Sequence, residues 1–381
     1  MASEVTHNEF DIVIAGGGAA GIGLAASLKN RDRSLKIAII EPSEEHFYQP
    51  AWTLVGGGAF NIRDSRKKTK DLIPSGVKWI QDKIVGFNPD ANEVLVTHGA
   101  PVRYRFLAVA TGLKVKWDAI PGLIETIGKN GVTSNYSYDY SPYTWELVKS
   151  LKSGKAIFTQ PPMPIKCPGA PQKAMYLSCY EWAQQGVLKN IDVELNNAGG
   201  ALFGVADFVP PLMEYVKKYN ATLNFNCNLV SVDGPNKKAT FAVKDAEGNT
   251  TRIEKSFDLL HVVPPQGPQD CVKDSPIANA EGWVEVDQST LQHVRYPNIF
   301  GLGDCCSSPN SKTAAAARKQ VVVVAENLLS AKSQKPMPLK YDGYGSCPLT
   351  VEKGRIVLAE FGYGGKLLPT FPWLINPLKA T

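Results

Sequence analysis

The sequence predicts an α/β chain built as two Rossmann-like domains, the first interrupted by the second, followed by a short C-terminal segment. Three observations lead there. An apolar β-forming run, Phe10 to Ile14, ends in glycines spaced Gly16-x-Gly18-x-x-Gly21 and passes straight into a helix-like stretch. Two further apolar runs, RFLAVATG at 105–112 and NIFGLGDC at 298–305, also end in glycine. The chain between these last two carries strand-forming runs of its own, so one layered domain is inserted into another. The segments expected are 9–137 and 284–330 for the first domain, 138–283 for the second, and 331–381 for the closing piece.

Composition narrows the classes. The 381 residues are 44% hydrophobic and 20% charged, which suits an α/β enzyme of two or three domains. The formal charge of +5 is mild, and no basic run carries interleaved aromatics, so nucleic acid is not expected as a partner. The longest apolar runs, such as Val321 to Ala325, are far too short to span a bilayer. The opening MASEVTHNEF is neither an apolar signal peptide nor an Arg-rich transit peptide. Seven cysteines without regular spacing argue against a disulfide-stapled module and for thiol chemistry or ordinary burial.

In chain order, the first glycine turn has the form of a dinucleotide cradle. Gly16 permits the turn and Gly18 lets a pyrophosphate approach the backbone. Ala19 and Ala20 open the helix, and Gly21 lets helix and strand pack closely. The next apolar strand, Leu35 to Ile40, ends in Glu41, a carboxylate suited to a ribose. The loop PSEEHFYQPAWTLVGGG follows, with prolines that break helix and a flexible turn at Gly56 to Gly58. His46, Tyr48, Gln49 and Trp52 either line a cofactor cleft or belong to an ordinary packed loop. Strands are expected at 77–86 and 93–97, before the run that closes on Thr111 and Gly112. The third strand end leads to Asp304, suited to the hydroxyls of a ribityl chain, and then to Lys312, Thr313 and a run of alanines that reads as a helix start. The positive end of that helix would stabilise charge on a reduced flavin. One long ligand needs all three strand ends, so FAD fits better than NAD.

The inserted domain begins with the strand KAIF at 155–158, but TQPPMPIKCPGAPQK follows it in place of a second glycine cradle. Gly199, Gly200 and Gly204 have the wrong spacing. A nicotinamide is therefore not the expected electron partner. Cys167, in KCPGAP, and Cys347, in SCPLT, both lie in proline-flanked turns, where a thiol would be exposed and Lys166 would favour the thiolate. On these grounds they are either a redox pair brought together by the fold or two unrelated loop cysteines. Cys179, Cys227, Cys271 and Cys306 read as structural, and Cys305 as structural but close to the third strand end.

With GGGAAG, EPSEEHFYQPAWTLVGGG, KCPGAPQKAMYLS, GLGDC, SKTAAAA and YDGYGSCPL together, the chain resembles the sulfide:quinone oxidoreductases from about Phe10 to Phe371. The resemblance implies FAD held by Gly16, Gly18, Ala19, Ala20, Gly21, Glu41, Gln49, Ile84, Thr111, Gly112, Asp304, Lys312 and the helix start at Ala314. It implies Cys167 and Cys347 as the redox-active pair, with hydrosulfide attacking the bridge at Cys347 and Cys167 released to reduce the flavin. The partners it implies are hydrogen sulfide, a quinone, and a small sulfur acceptor such as sulfite, glutathione or cyanide. The location it implies is the periphery of the mitochondrial inner membrane. Members of the family usually continue past the Phe371-Pro372 region into amphipathic helices, whereas this sequence stops at Thr381, so weaker membrane contact and quinone access are expected. The rival readings are an NADH:quinone oxidoreductase of the same fold and a flavin-binding form without turnover.

Overall fold

The computed structural model describes residues 9–381. Nearly all of the opening segment discussed for targeting lies outside the described residues. Contacts divide the chain into two units. The first holds the described residues up to Phe47, Lys67–Lys114 and Pro268–Gly345; the second holds Tyr48–Arg66, Val115–Gly267 and Ser346–Thr381.

The first unit is built on a seven-stranded sheet. From one edge its strands run Val77–Ile80, Ile37–Ile40, Glu9–Ala15, Val102–Val109, Glu93–Val96 and Ile84–Asn88, with Ile299–Gly301 pairing beside the end of Val102–Val109. Pairing is parallel through the glycine-ended strands and antiparallel where Glu93–Val96 and Ile84–Asn88 join. The parallel strands are buried on both faces, which is why Ile12 to Ala15 and Ile37 to Ile40 are uninterrupted apolar runs. Helix Ala19–Arg31 follows the first strand and helix Ala314–Lys332 the last.

The second unit carries a five-stranded parallel sheet in the order Val132–Thr133, Leu259–His261, Gly154–Gln160, Ile191–Asn197, Thr222–Asn224. Strand Gly154–Gln160 is followed by helix Ala170–Gln184, in the βα order of a dinucleotide fold. An antiparallel sheet of Cys227–Asp233, Lys238–Lys244 and Thr250–Ser256 is added to it. The hairpin Gly345–Glu352 and Arg355–Phe361 puts Cys347, Leu349, Val351, Val357, Ala359 and Phe361 into the same apolar core as Phe158, Tyr176 and Trp182.

The stretch read as a flexible loop is ordered instead. Gln49–Ala51 is a 3₁₀ turn and Trp52–Gly56 a short helix. A Cβ on Gly56 would lie 2.2 Å from Asn135 Oδ1, one on Gly57 2.6 Å from Leu177 Cδ1, and one on Gly58 2.4 Å from the Trp145 ring. The three glycines serve close packing as well as turning.

Candidate active site

In the first unit the three glycine-ended strands meet. Gly16 has φ +109°, and a Cβ there would lie 2.6 Å from the Ala110 carbonyl oxygen and 3.0 Å from Thr111 Cα. A Cβ on Gly21 would lie 2.0 Å from the Gly16 carbonyl oxygen, so the turn folds only around glycine. Gly303, beside Asp304, comes within 3.2 Å of Ala20 Cβ by the same measure. Ala19, Ala20 and Gly21 form the first helical turn, Gly18 caps it without a side-chain acceptor, and that turn carries no acidic residue. Among the described residues nothing lies within 4 Å of where a Gly18 Cβ would stand. A glycine approach, unsatisfied amides and a positive helix end fit an anionic pyrophosphate.

Glu41 follows strand Ile37–Ile40, and its Oε2 accepts from Gly17 N at 2.8 Å while its Oε1 accepts from Ser43 N at 2.9 Å. A Cβ on Gly17 would lie 2.6 Å from Glu41 Cβ, so the glycine between the motif positions is also required. Sequence reasoning passed over Gly17, although the run GGG carried the signal. Gly112 adopts φ +67° just past strand Val102–Val109. Asp304 lies in the 3₁₀ turn Gly303–Cys305. Lys312 is buried, donating to the Cys306 carbonyl at 3.0 Å and standing 4.3 Å over the Trp283 ring. Ala314 begins the helix Ala314–Lys332, whose cap Thr313 accepts from Ala316 N at 3.1 Å. The Ser311 hydroxyl beside Lys312 is buried without a hydrogen-bond partner among the described residues, a polar atom an FAD would satisfy. Ile84 is buried at the head of the outermost antiparallel strand, two strands away from Val102–Val109. Gln49 belongs to the second unit, where its Oε1 accepts from Lys166 Nζ.

In the second unit Cys167 and Cys347, 180 positions apart, stand with their sulfurs 3.8 Å from each other. Their settings differ from the sequence reading. Cys347 lies in strand Gly345–Glu352, not in a turn, and is fully buried. Cys167 is half-buried in the loop between Gln160 and helix Ala170–Gln184, with φ +46°, a left-handed conformation uncommon for a non-glycine. Gly169 makes the approach possible: a Cβ there would lie 2.4 Å from Leu349 Cδ2 and 3.6 Å from Cys347 Cβ. Lys166 is turned to Gln49, and the lysine at the thiol is Lys173, whose Nζ donates to Cys167 Sγ at 3.6 Å.

The two thiols are driven apart in acidity. The hydrogen bond from Cys347, followed by the Lys173 ammonium, overcomes burial and lowers Cys167 to about 5. Cys347, donor of that bond and buried beside a negative sulfur, is pushed well above the ordinary thiol range. Burial raises Cys179, Cys227 and Cys271, and takes Cys305 up to about 12, so the thiol next to the third strand end is inert rather than reactive.

Residues 10–320 match the pyridine nucleotide-disulphide oxidoreductase family. The chain is 45% identical over 369 residues to the mitochondrial sulfide:quinone oxidoreductase of Dictyostelium discoideum, covering 96% of this chain and 80% of that one. The chain belongs to the sulfide:quinone oxidoreductase family. The mouse mitochondrial sulfide:quinone oxidoreductase is 42% identical over 367 residues, with 96% and 81% covered. The sulfide:quinone oxidoreductase structure from Aquifex aeolicus superposes with a TM-score of 0.74 at 20% identity, over 88% of this chain and 80% of that one, and shows the common fold. FAD is the cofactor of this flavoprotein family.

Proposed function

We propose that this chain oxidises hydrogen sulfide with Cys167 and Cys347 as the sulfur-handling pair, and delivers the two electrons to a quinone. One observation carries the assignment of the pair. Two sulfurs from distant parts of the chain stand 3.8 Å apart, one acidified and the other protonated and buried. In the oxidised bridge, hydrosulfide attacks Cys347 Sγ, the sulfur–sulfur bond breaks, and its electron pair leaves on Cys167 Sγ. The products are a Cys347 persulfide and a Cys167 thiolate, and one negative charge is conserved. The more acidic thiol is the better leaving group, which selects Cys167 for that role. Bound FAD supplies a two-electron acceptor whose electrons pass to the quinone. Gly16, Gly17, Gly18, Ala19, Ala20 and Gly21 would hold its pyrophosphate, with Glu41, Gln49, Ile84, Thr111, Gly112, Asp304, Lys312 and Ala314 along its length. The persulfide sulfur goes to a small nucleophile such as sulfite, glutathione or cyanide.

No glycine cradle follows strand Gly154–Gln160, which favours sulfide over a nicotinamide as electron source. Both relatives named above are mitochondrial, and the reading assigns this chain to mitochondria, at the surface of the inner membrane. Among the described residues no helix is long and apolar enough to cross a membrane, but Trp373 is 80% and Leu374 75% exposed, side chains suited to an interface.

The test is anaerobic titration of the purified flavoprotein. Sulfide should bleach the visible flavin band, NADH should not, and a soluble quinone should restore it. Cys167→Ser and Cys347→Ser should each abolish bleaching with FAD still bound. Full activity in either variant overturns the assignment.

A further inference from the structure

Lys173 lies on helix Ala170–Gln184 and is nine-tenths buried. Its ammonium has one hydrogen-bond acceptor among the described residues, Cys167 Sγ at 3.6 Å, and no carboxylate pairs with it. A buried ammonium without a counter-charge is costly, whereas a buried ammonium against a thiolate forms a neutral pair. Facing Cys167, the titratable groups are Cys347 and Lys173; Lys166, next in the chain, sends its ammonium to Gln49.

We infer that Lys173 is the catalytic counter-cation of the sulfur pair, holding Cys167 as an anion at the moment the bridge opens. The inference rests on the pair assigned above. Chemistry within the cycle makes the lysine necessary. In the resting dithiol the strongest influence on Cys167 is the hydrogen bond from the Cys347 thiol. Once hydrosulfide has attacked, Cys347 Sγ is bonded to sulfur and carries no proton of its own. The electron pair arriving on Cys167 then keeps two donors, the Lys173 ammonium and the weaker Gly169 backbone amide, and only the lysine brings a full positive charge. The helix places that donor without help from a third residue: Lys173 N bonds the Gly169 carbonyl in the first turn, fixing the side chain over the loop that carries Cys167.

The experiment uses the FAD-bound, reduced protein with Cys347→Ala, which removes the competing thiol donor. The rate of Cys167 alkylation by iodoacetamide is followed against pH by site-resolved mass spectrometry. Lys173→Met should move the midpoint up by at least one pH unit, which is at least a tenfold slower reaction on the acid side. Lys173→Arg should restore it. Lys173→Gln is the second variant should Met fail to fold, with flavin absorbance as the control. In the chain with both cysteines, Lys173→Met should shift the acid limb of sulfide turnover to higher pH. An unmoved midpoint in a folded Lys173→Met or Lys173→Gln protein overturns the inference. Full sulfide turnover in Cys167→Ser would instead overturn the pair, whatever the alkylation profile shows.

Discussion

At residue scale the molecule depends on atoms that are missing. The first unit is closed by glycines whose neighbours stand where a methyl group would be, and Gly21 is the extreme, with the Gly16 carbonyl oxygen 2.0 Å from its would-be Cβ. Gly21→Ala is expected to yield protein purified without FAD, seen as loss of the visible absorbance with far-ultraviolet circular dichroism largely kept. Retention of full flavin would contradict the role given to the turn. This turn was legible because a strand, three spaced glycines and a helix need only local physics. Lys173 was not legible. Lys166 adjoins Cys167 in the chain, but adjacent side chains diverge, and it is the lysine six positions on that meets the sulfur. Gly169 was equally silent, since its reason to be glycine is Leu349, on a strand far along the chain.

At element scale the hairpin Gly345–Glu352 and Arg355–Phe361 is what delivers Cys347. Leu349 is fully buried in the shared core and touches the position of Gly169. Leu349→Ala should cost about 2–5 kcal/mol by the removal of a buried side chain. It should also loosen the approach of the sulfurs, so sulfide turnover should fall while FAD content holds; denaturant unfolding and flavin content measure the two effects. Strand Ile191–Asn197 supplies the second case. Glu194 is buried, a burial that by itself raises its carboxyl, but Lys155 and Lys255 pair with it and together bring it below the usual carboxylate value. A lowered folded value gives stability that is present above the unfolded carboxylate range and is lost as pH falls through the folded value. Wild type should therefore lose Tm more steeply between about pH 5 and pH 3 than Glu194→Gln does. Parallel thermal melts across that window would refute this if the slopes coincide. The parallel strands of both sheets were readable as apolar runs of strand length. The Tyr48–Gly58 stretch was misread because its proline and glycines look like a loop, and only the packing partners Asn135, Leu177 and Trp145 show that the glycines serve the contacts of a short helix.

At the scale of the whole molecule, the proposed FAD site couples binding to folding. Strand ends from residues 9–15, 102–109 and 299–301 meet around a turn whose capping amides lack side-chain acceptors, so stability is expected to follow occupancy. Ligand at one hundred times its Kd adds about 2.7 kcal/mol to a folded state. Stripping FAD should lower Tm, and re-adding it should raise Tm with concentration; a Tm indifferent to FAD would place the cofactor outside the folding equilibrium. The general class and the cofactor were legible from the sequence because glycine-ended strands repeat three times. The electrostatic division of labour between the two thiols was not, because it is created by tertiary approach.

That approach also sets an order of events while the chain is being made. Cys167 emerges 180 residues ahead of Cys347, and the strand that carries Cys347 is joined to its hairpin partner only when Arg355–Phe361 has been added. The glycine turn at residues 16–21 is made before either cysteine, and the sulfur pair can close only after residues 345–361 have followed. Until then Cys167 is a solitary thiol on an unfinished core, and the newborn protein depends on its surroundings, not on its partner sulfur, to keep that thiol unspent.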